Sequence, residues 1–157
     1  MQKAPTNFTF KKISEMSGRE VFCLARLRVD TFVCEQKITD PELDDQDLEA
    51  IQIFALNQAQ TKALAVCRVF QEDGKWMLGR VAVARAARGQ GLGRKMMEQV
   101  HEYLKQHGVE RLYCHAQLQA KPFYDFLGYK TTGANFFEAG VEHVMMYKDL
   151  KDKKARE

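Results

Sequence analysis

The fold of this chain is decided by the stretch Arg88-Gly89-Gln90-Gly91-Leu92-Gly93-Arg94-Lys95. It follows the run 80–84, which is apolar after its first residue, and it leads into the amphipathic segment 92–106. A strand, a glycine-rich turn and a helix in this order present free backbone N–H groups at a helix N-terminus. Glycines permit positive φ and let a ligand lie against the main chain. The stretch therefore predicts a site for an anionic ligand that carries a pyrophosphate.

The spacing of the glycines argues against two common phosphate-binding motifs. A P-loop has Lys followed by Ser or Thr after its last glycine, whereas Gly93 is followed by Arg94 and Lys95. A dinucleotide-binding fingerprint needs a third glycine where Arg94 stands. A phosphoryl-transfer domain also needs an Asp for Mg²⁺, which the turn does not supply. The register that fits is Arg88-x-x-Gly91-x-Gly93.

Length and composition predict a single domain over residues 1–157. The chain is 45% hydrophobic and 29% charged, which suits one core. Its 24 Lys and Arg against 21 Asp and Glu give a net charge of +3, too mild to indicate nucleic acid. No apolar run suggests a membrane span or a signal peptide. Cys23, Cys34, Cys67 and Cys114 lack metal-like or C-x-x-C spacing, so we expect no metal site and reduced thiols in a cytoplasmic protein.

Hydrophobic periodicity predicts an α/β (α+β) fold in the order β-α-β-β-β-α-β-α-β-β. This order gives a mixed, splayed sheet of about seven strands flanked by helices. Tight hairpins are predicted at Asp73-Gly74 and Glu138-Ala139-Gly140, and Gly108 is expected to end a helix. The predicted strands are 8–13, 50–57, 63–71, 76–84, 111–116, 129–138 and 142–148, and the predicted helices are 18–34, 92–106 and 120–127.

Three motifs resemble those of a known family, the GNAT superfamily of N-acetyltransferases. The glycine register resembles its Q/R-x-x-G-x-G/A motif, which holds the pyrophosphate of acetyl-CoA. The stretch Gln117-x-x-Ala120-x-x-Phe123-Tyr124-x-x-x-Gly128-Tyr129 resembles its N-x-x-A-x-x-x-Y-x-x-x-G-F/Y element, with Gln117 where Asn is usual. The stretch Leu27-Arg28-x-x-x-Phe32-Val33-x-Glu35-Gln36 resembles a segment of the small bacterial ElaA/YjcF-like branch. Gln52 departs from that branch, where a histidine is expected.

The resemblance implies a bacterial enzyme that binds acetyl-CoA and an amine together and transfers the acetyl group directly. We expect backbone amides of the glycine turn to bind the pyrophosphate and the strand before it to bind the pantetheine arm, where it splays from the strand 113–116. A main-chain N–H there is also a natural donor to the thioester oxygen. The expected cofactor-binding residues are Val81, Ala82, Val83, Arg88, Gly89, Gln90, Gly91, Leu92, Gly93, Arg94, Gln117, Phe123 and Tyr124.

Tyr124 is the predicted general acid. An unperturbed tyrosine pKa of about 10 makes it a fair proton donor to a developing alkyl thiolate. The family resemblance assigns the matching position the same role. The alternative is a half-buried tyrosine that only packs on the sheet.

The general base is harder to assign, because the strand 76–84 contains no acid. Glu35, at the end of the first helix, is the predicted base, with a solvated surface glutamate as the alternative. His115 and His143 are further candidates at the acceptor, against an ordinary structural role. Arg28 is expected either to bind an acceptor carboxylate or to pair with an acidic loop. The predicted acceptor-binding residues are Arg28, Glu35, His115 and His143.

The acidic segment 40–49 is predicted to be a solvated loop. It has no glycine where a calcium-binding loop requires one. The alternative function is to attract a cationic acceptor such as a polyamine, a lysine side chain or an aminoglycoside. Its carboxylates are Asp40, Glu42, Asp44, Asp45, Asp47 and Glu49.

Other points stay open at the level of sequence. A non-catalytic acyl-CoA-binding or sensor module would share the glycine turn, and only Tyr124 and a competent acceptor pocket distinguish an enzyme from it. The presence of Tyr124 favours catalysis. Cys114 could carry an acyl group but lacks an evident activating partner. The acceptor is a small molecule or a peptide. Relatives are often dimers through late strands, so the segment 144–147 is a candidate homodimer interface.

Overall fold

The computed structural model describes residues 7–151, which form one mixed sheet with helices on both faces. The strands are β1 Thr9–Lys12, β2 Ile51–Leu56, β3 Ala63–Glu72, β4 Lys75–Val83, β5 Arg111–Gln117, β6 Lys130–Glu138 and β7 Val141–Asp149. The helices are α1 Gly18–Arg28, α2 Gln46–Glu49, α3 Leu92–Gln106 and α4 Lys121–Phe126. Within the described range, the seven strands lie in the order β1-β2-β3-β4-β5-β7-β6. The predicted α/β class is confirmed.

The first helix has the predicted extent but not a uniform geometry. A capping box starts it, since the Glu20 amide donates to Ser17 Oγ and the Ser17 amide donates to Glu20 Oε1. The α-helix ends at Arg28, and the residues Val29–Glu35 continue as a wider π-helical segment. Such a segment shifts the direction of the side chains that follow it. Here it carries Glu35 to the glycine turn, where its carboxylate meets Arg88.

Two apolar layers hold the helices on the sheet. On one face, α3 buries Met96, Met97, Val100 and Leu104 in the main core. On the other face, α1 covers β2, β3 and β4 through Cys23, Leu24 and Leu27. The apolar periodicity predicted for α3 matches this buried face.

A β-bulge in β4 opens the sheet between β4 and β5. Val66 pairs with Ala82 but Arg68 pairs with Gly79, so Arg80 and Val81 together oppose one residue of β3. Arg80 has a φ of 54°. A bulge bends the strand that carries it, and the parallel pairing of β4 with β5 runs only from Trp76 to Leu78. The predicted splay between these strands is therefore present.

The last two strands correct the interface predicted for residues 144–147. Val144 and Met146 are 3% and 0% exposed and belong to the core of the sheet. Side chains alternate along a strand, so only Met145 and Tyr147 lie on the other face. The segment as a whole therefore cannot form an interface. The hairpin predicted before it is confirmed, because Ala139 and Gly140 both have positive φ between Glu138 and Val141.

Candidate active site

The glycine turn places open backbone amides at the N-terminus of α3. The N-cap residue is Gly91, which has a φ of 75° and, as a glycine, no side chain that could cap the helix. The first amides of a helix have no intrahelical acceptor, and the helix dipole adds positive potential there. A Cβ at Gly93 would lie 3.4 Å from Val83 Cγ2 and 3.5 Å from Phe123 Cε1. The start of α3 therefore packs closely on β4 and α4, with the backbone of the turn free for an anion.

A cleft of about 620 Å³ lies where β4 and β5 diverge. Tyr124 and His115 reach it from opposite faces of the sheet. The Tyr124 ring belongs to the core with Cys114 and Ala116, while His115 alternates with those two residues along β5. Of the predicted site residues, the cleft brings together Val81, His115, Gln117, Tyr124 and His143.

Gln117 stands where the family motif has Asn, and it lies in a chain of side-chain amides. Its Nε2 donates to Gln36 Oε1 at 2.9 Å, and Gln119 Nε2 donates to its Oε1 at 2.8 Å. Gln36 follows the π-helical segment, so this hydrogen bond ties the end of the first helix to the end of β5. The chain of amides borders the cleft that all three residues line.

Tyr124 is held rigidly at the base of the cleft. Its side chain is 6% exposed, and its ring packs edge-on against Phe123 at 5.2 Å and Tyr129 at 5.3 Å. Burial raises the pKa of Tyr124 well above its ordinary value, so the phenol stays protonated at neutral pH. Burial also raises the pKa of the neighbouring Cys114 to about 12. The site thus holds a protonated phenol, that of Tyr124, beside an unreactive thiol, that of Cys114.

The prediction of a solvated loop holds for part of the acidic segment, since Asp40, Asp45 and Glu49 are exposed. Its other carboxylates, Glu42, Asp44 and Asp47, instead join arginines in an ion cluster. Arg28 is 1% exposed, and its Nε donates to Glu42 Oε2 at 2.8 Å. Its Nη1 donates to Asp47 Oδ1 at 2.6 Å, and Arg68 Nη1 donates to Asp44 Oδ1 at the same distance. The carboxylates are drawn inward because these guanidiniums offer bidentate partners. The ion cluster consists of Arg28, Glu42, Asp44, Asp47, Arg68 and Arg80.

Gln52, where the family branch was expected to have a histidine, belongs to the base of this ion cluster. It is 1% exposed, and its Nε2 donates to Asp47 Oδ1 at 3.1 Å and to the Asp47 carbonyl oxygen at 3.3 Å. An amide donor there satisfies a buried carboxylate. The position is therefore structural in this chain.

Glu138 lies between two histidines at the rim of the cleft. His115 Nδ1 is 3.0 Å from Glu138 Oε1, and His143 Nε2 is 3.9 Å from Glu138 Oε2. His143 Nδ1 donates to the Val141 carbonyl oxygen at 2.7 Å, because a carbonyl can only accept. The hydrogen bond to Glu138 raises the pKa of His115 above its ordinary 6.5. Phe136 lies edge-on to the His115 ring and stacks on His143.

The comparisons with known proteins agree with this geometry. Residues 25–150 match the family model described as the acetyltransferase (GNAT) domain. The chain belongs to the GNAT family. A UPF0039 protein of Schizosaccharomyces pombe is 32% identical to this GNAT chain over 146 residues, which is 91% of this chain and 97% of that protein.

Two solved structures extend the comparison to the fold. An acyl-CoA N-acyltransferase from Pseudomonas aeruginosa has a TM-score of 0.82 and 28% identity, covering 90% of this GNAT chain and 98% of that one. Escherichia coli ElaA has a TM-score of 0.81 and 26% identity, with the same coverage. The predicted resemblance to GNAT proteins, including ElaA, is confirmed. Membership of this family supports acyl-CoA-dependent acyltransferase activity in general.

Two of the predicted acceptor contacts need correction in this GNAT domain. Arg28 lies wholly within the ion cluster, so its guanidinium has no face left for an acceptor. Glu35 accepts from both terminal nitrogens of Arg88 at 2.8 Å, beside the glycine turn. These hydrogen bonds to Arg88 lower the pKa of Glu35 to about 2, which makes it a weak base. Neither residue lines the cleft.

Arg88 is also tied to the strand expected to bind pantetheine. Its Nε donates to the Val83 carbonyl oxygen at 2.9 Å. The guanidinium therefore links the glycine turn, β4 and the end of the π-helical segment. Arg94 instead pairs with Glu98 one helical turn away, at 2.9 Å.

Replacing Glu35 by Gln is expected to tighten CoA binding severalfold and to leave turnover nearly unchanged. The substitution removes a negative charge beside the predicted pyrophosphate site and frees the Arg88 guanidinium for the ligand. The dissociation constant of CoA, measured by titration calorimetry, checks this result. Glu110→Gln is the matched control, because Glu110 pairs with Lys151 away from the glycine turn. A large loss of turnover with unchanged CoA affinity would instead restore Glu35 as the base.

Sequence reasoning missed Glu138 as a site residue and treated it only as part of a hairpin. A signal was present, since a tight turn at Ala139-Gly140 sets Glu138 opposite Val141 and brings His143 near. The proximity of His115 depends on β7 lying between β5 and β6. No local pattern encodes that order.

Neither a metal cluster nor a membrane-spanning helix is seen in the described part of this GNAT domain. No group of three or more His, Cys, Asp or Glu side chains there is arranged to hold a metal ion. Among residues 7–151, no helix is long and apolar enough to cross a membrane.

Proposed function

We propose that this chain, as one domain over residues 1–157, is an N-acetyltransferase. It transfers the acetyl group of acetyl-CoA directly to a primary amine of a small molecule or peptide. The observation that carries the proposal is the cleft at the β4–β5 splay, which Tyr124 reaches from one side and the His115–Glu138 pair from the other. An acyl transfer from a thioester to an amine needs a proton acceptor for the amine and a proton donor for the leaving sulfur.

In this proposal, backbone groups hold acetyl-CoA, the acetyl donor. The amides of the turn 88–94 bind the pyrophosphate at the N-terminus of the 15-residue helix α3. Beyond Leu78, β4 is no longer paired with β5, so backbone groups of Val81, Ala82 and Val83 are the expected partners of the pantetheine arm. Phe123 and Gln117 border the same path. A main-chain N–H of β4 then stabilises the thioester oxygen as it gains charge.

Tyr124 supplies the proton that the leaving thiolate requires. Its raised pKa keeps the phenol protonated before reaction but also makes it a weaker acid. Burial raises the pKa of a thiol in the same place, as it does for Cys114, so the developing thiolate is also a stronger base there. The thioester carbon is attacked by the neutral amine, the C–S bond breaks, and CoA leaves as a thiol.

The charge of the cleft favours a cationic acceptor. Five carboxylates and two guanidiniums line it within the described residues. An excess of negative charge in a concave site raises the local concentration of cations. Polyamines, lysine side chains and aminoglycosides are therefore the acceptor classes to test. The carboxylates are Asp40, Glu42, Asp44, Glu72 and Glu138, and the guanidiniums are Arg68 and Arg80.

The first test is the melting temperature of the purified protein with acetyl-CoA, CoA, ATP and NAD at matched concentrations. A ligand that binds only the folded state at about 100 times its Kd adds about 2.7 kcal/mol. Acetyl-CoA and CoA are expected to raise the melting temperature, and ATP and NAD are not. A rise with ATP alone, or no rise with either CoA compound, would contradict the proposal.

Replacing Cys114 by Ala is expected to retain turnover within about threefold of the wild type. The transfer is direct, and burial keeps the Cys114 thiol protonated and unreactive. Initial rates at varied acetyl-CoA and amine check this, with intersecting reciprocal plots expected for a ternary complex. Parallel plots together with loss of activity in Cys114→Ala would point to an acyl-cysteine intermediate.

A cytoplasmic location and a bacterial source remain parts of the proposal. All four cysteines of the chain are free thiols, which suits a reducing compartment. The relatives include a yeast protein as well as bacterial ones. A homodimer through the segment 144–147 would use Met145 and Tyr147, because Val144 and Met146 are buried in the core.

A further inference from the structure

We propose that His115 is the general base of the reaction and that Glu138 positions it. The inference rests on the proposed function and names the group that the amine needs. It is carried by the hydrogen bond of 3.0 Å between His115 Nδ1 and Glu138 Oε1 at the rim of the cleft.

The hydrogen bond fixes the tautomer of His115. Glu138 is an ionised carboxylate that can only accept, because its hydrogen bond to His115 keeps its pKa below the ordinary value. His115 Nδ1 therefore carries the proton, and Nε2 of the neutral ring has a free lone pair. This is the arrangement in which a carboxylate orients an imidazole for proton abstraction.

The two histidines of the cleft have different roles. The His115 side chain is 33% exposed, so its ring is open to an acceptor. The His143 side chain is only 7% exposed, stacks on Phe136, and has Nδ1 bound to the Val141 carbonyl oxygen. His143 is therefore packed away beside Glu138, and His115 is the histidine that is left to meet the amine.

The acceptor nitrogen loses two protons during the acetyl transfer, and each has a defined destination. The acceptor enters as an ammonium, and His115 Nε2 takes one of its protons and releases it to solvent. The nitrogen loses a second proton as the C–N bond forms. Tyr124 gives its own proton to sulfur as the C–S bond breaks, and that second proton restores the phenol. The products are the acetamide, CoA thiol and one proton in solution.

Charges around His115 set its pH dependence. Glu138 on β6 and Glu72 on β3 favour the protonated ring, while His143 on β7 and Arg80 on β4 lie near Glu138. The net effect raises the pKa of His115 above 6.5. A base must be neutral to act, so kcat/KM should rise with pH through this raised pKa. In Glu138→Gln, this rise of kcat/KM, the acid limb of the pH profile, should occur at lower pH, and the maximal kcat/KM reached at high pH should fall.

The test compares His115→Gln and Glu138→Gln with the control His107→Gln, which lies at the end of α3 and outside the cleft. Spermidine, kanamycin and a lysine peptide serve as acceptors, and the one that the wild type acetylates fastest is used throughout. We expect His115→Gln to lower kcat about a hundredfold or more, to lose the acid limb and to be partly rescued by added imidazole. The melting-temperature rise with CoA should be unchanged in all variants.

Nuclear magnetic resonance of ¹⁵N-labelled histidine gives a second readout that needs no acceptor. The wild-type His115 should show the Nδ1–H tautomer and a pKa that falls in Glu138→Gln. An Nε2–H tautomer, or a His115→Gln enzyme with nearly full kcat and an intact limb, would overturn this inference alone. A wild type that acetylates none of the three amines would overturn the proposed function, and this inference with it.

Discussion

Tyr124→Phe is expected to lower turnover about a hundredfold or more while changing CoA affinity little. The ring stays in its aromatic packing against Phe123 and Tyr129, so the substitution removes only the proton that the leaving thiolate needs. An alkyl thiolate that leaves unprotonated at a buried site is a costly product. The measurement is kcat at saturating acetyl-CoA and amine, together with the Kd of CoA.

Tyr103→Phe is the matched control for this substitution. Tyr103 stacks on Phe10 at 4.3 Å and lies on α3, away from the cleft, so its hydroxyl has no part in the reaction. Its turnover should equal that of the wild type. If Tyr124→Phe also turned over at the wild-type rate, Tyr124 would be a packing residue and another group would have to protonate sulfur.

Arg28→Met is expected to lower the free energy of unfolding by about 3–5 kcal/mol. The substitution removes the partner that the carboxylates of Glu42 and Asp47 share. Among the arginines of the described residues, Glu42 then keeps only Arg80, and Asp47 keeps only Arg68. Burial alone raises the pKa of Asp47, but the hydrogen bond and charge of Arg28 outweigh it and hold that pKa at about 2. Urea denaturation of the variant and the wild type measures the difference.

The pH dependence gives the same prediction a second readout. A carboxylate whose folded pKa lies below its ordinary 3.8 stabilises the protein above that pH and loses this effect as the pH falls toward about 2. Without Arg28, the pKa of Asp47 rises, so acid unfolding should begin at higher pH. Lys121→Met, which breaks an exposed pair with Asp125, should change stability by well under about 1 kcal/mol. If Arg28→Met and Lys121→Met lowered the free energy of unfolding by equally small amounts, the ion cluster would stabilise the fold no more than an exposed ion pair does.

The sequence predicted the sheet and the glycine turn because both have local causes. The periodicity of α3 and the turn residues Asp73-Gly74 act within a few residues, and the structure has the helix and hairpin where they indicate. The divergence of β4 and β5 could be predicted as well, because these parallel strands lie beside the glycine turn. The change from α-helix to π-helix after Arg28 could not be predicted, because it accompanies contacts that Arg28 makes with residues 42 and 47.

The polar part of the site was harder to predict because its partners are distant in sequence. Arg28 and Asp47 meet across 19 positions, and Arg88 and Glu35 across 53. Burial decides whether an acidic loop is solvated or paired, and composition does not report burial. Likewise, Glu138 and His115 meet only because the sheet order inserts β7 between their strands.

The most direct test of the proposed acetyl transfer is mass spectrometry of spermidine, kanamycin and a lysine peptide after incubation with acetyl-CoA and the wild-type protein. The account predicts that at least one amine gains an acetyl group, in an amount equal to the CoA thiol released. A protein that acetyl-CoA stabilises against heat but that acetylates none of these amines would contradict the account. It would then be an acyl-CoA-binding module rather than an N-acetyltransferase.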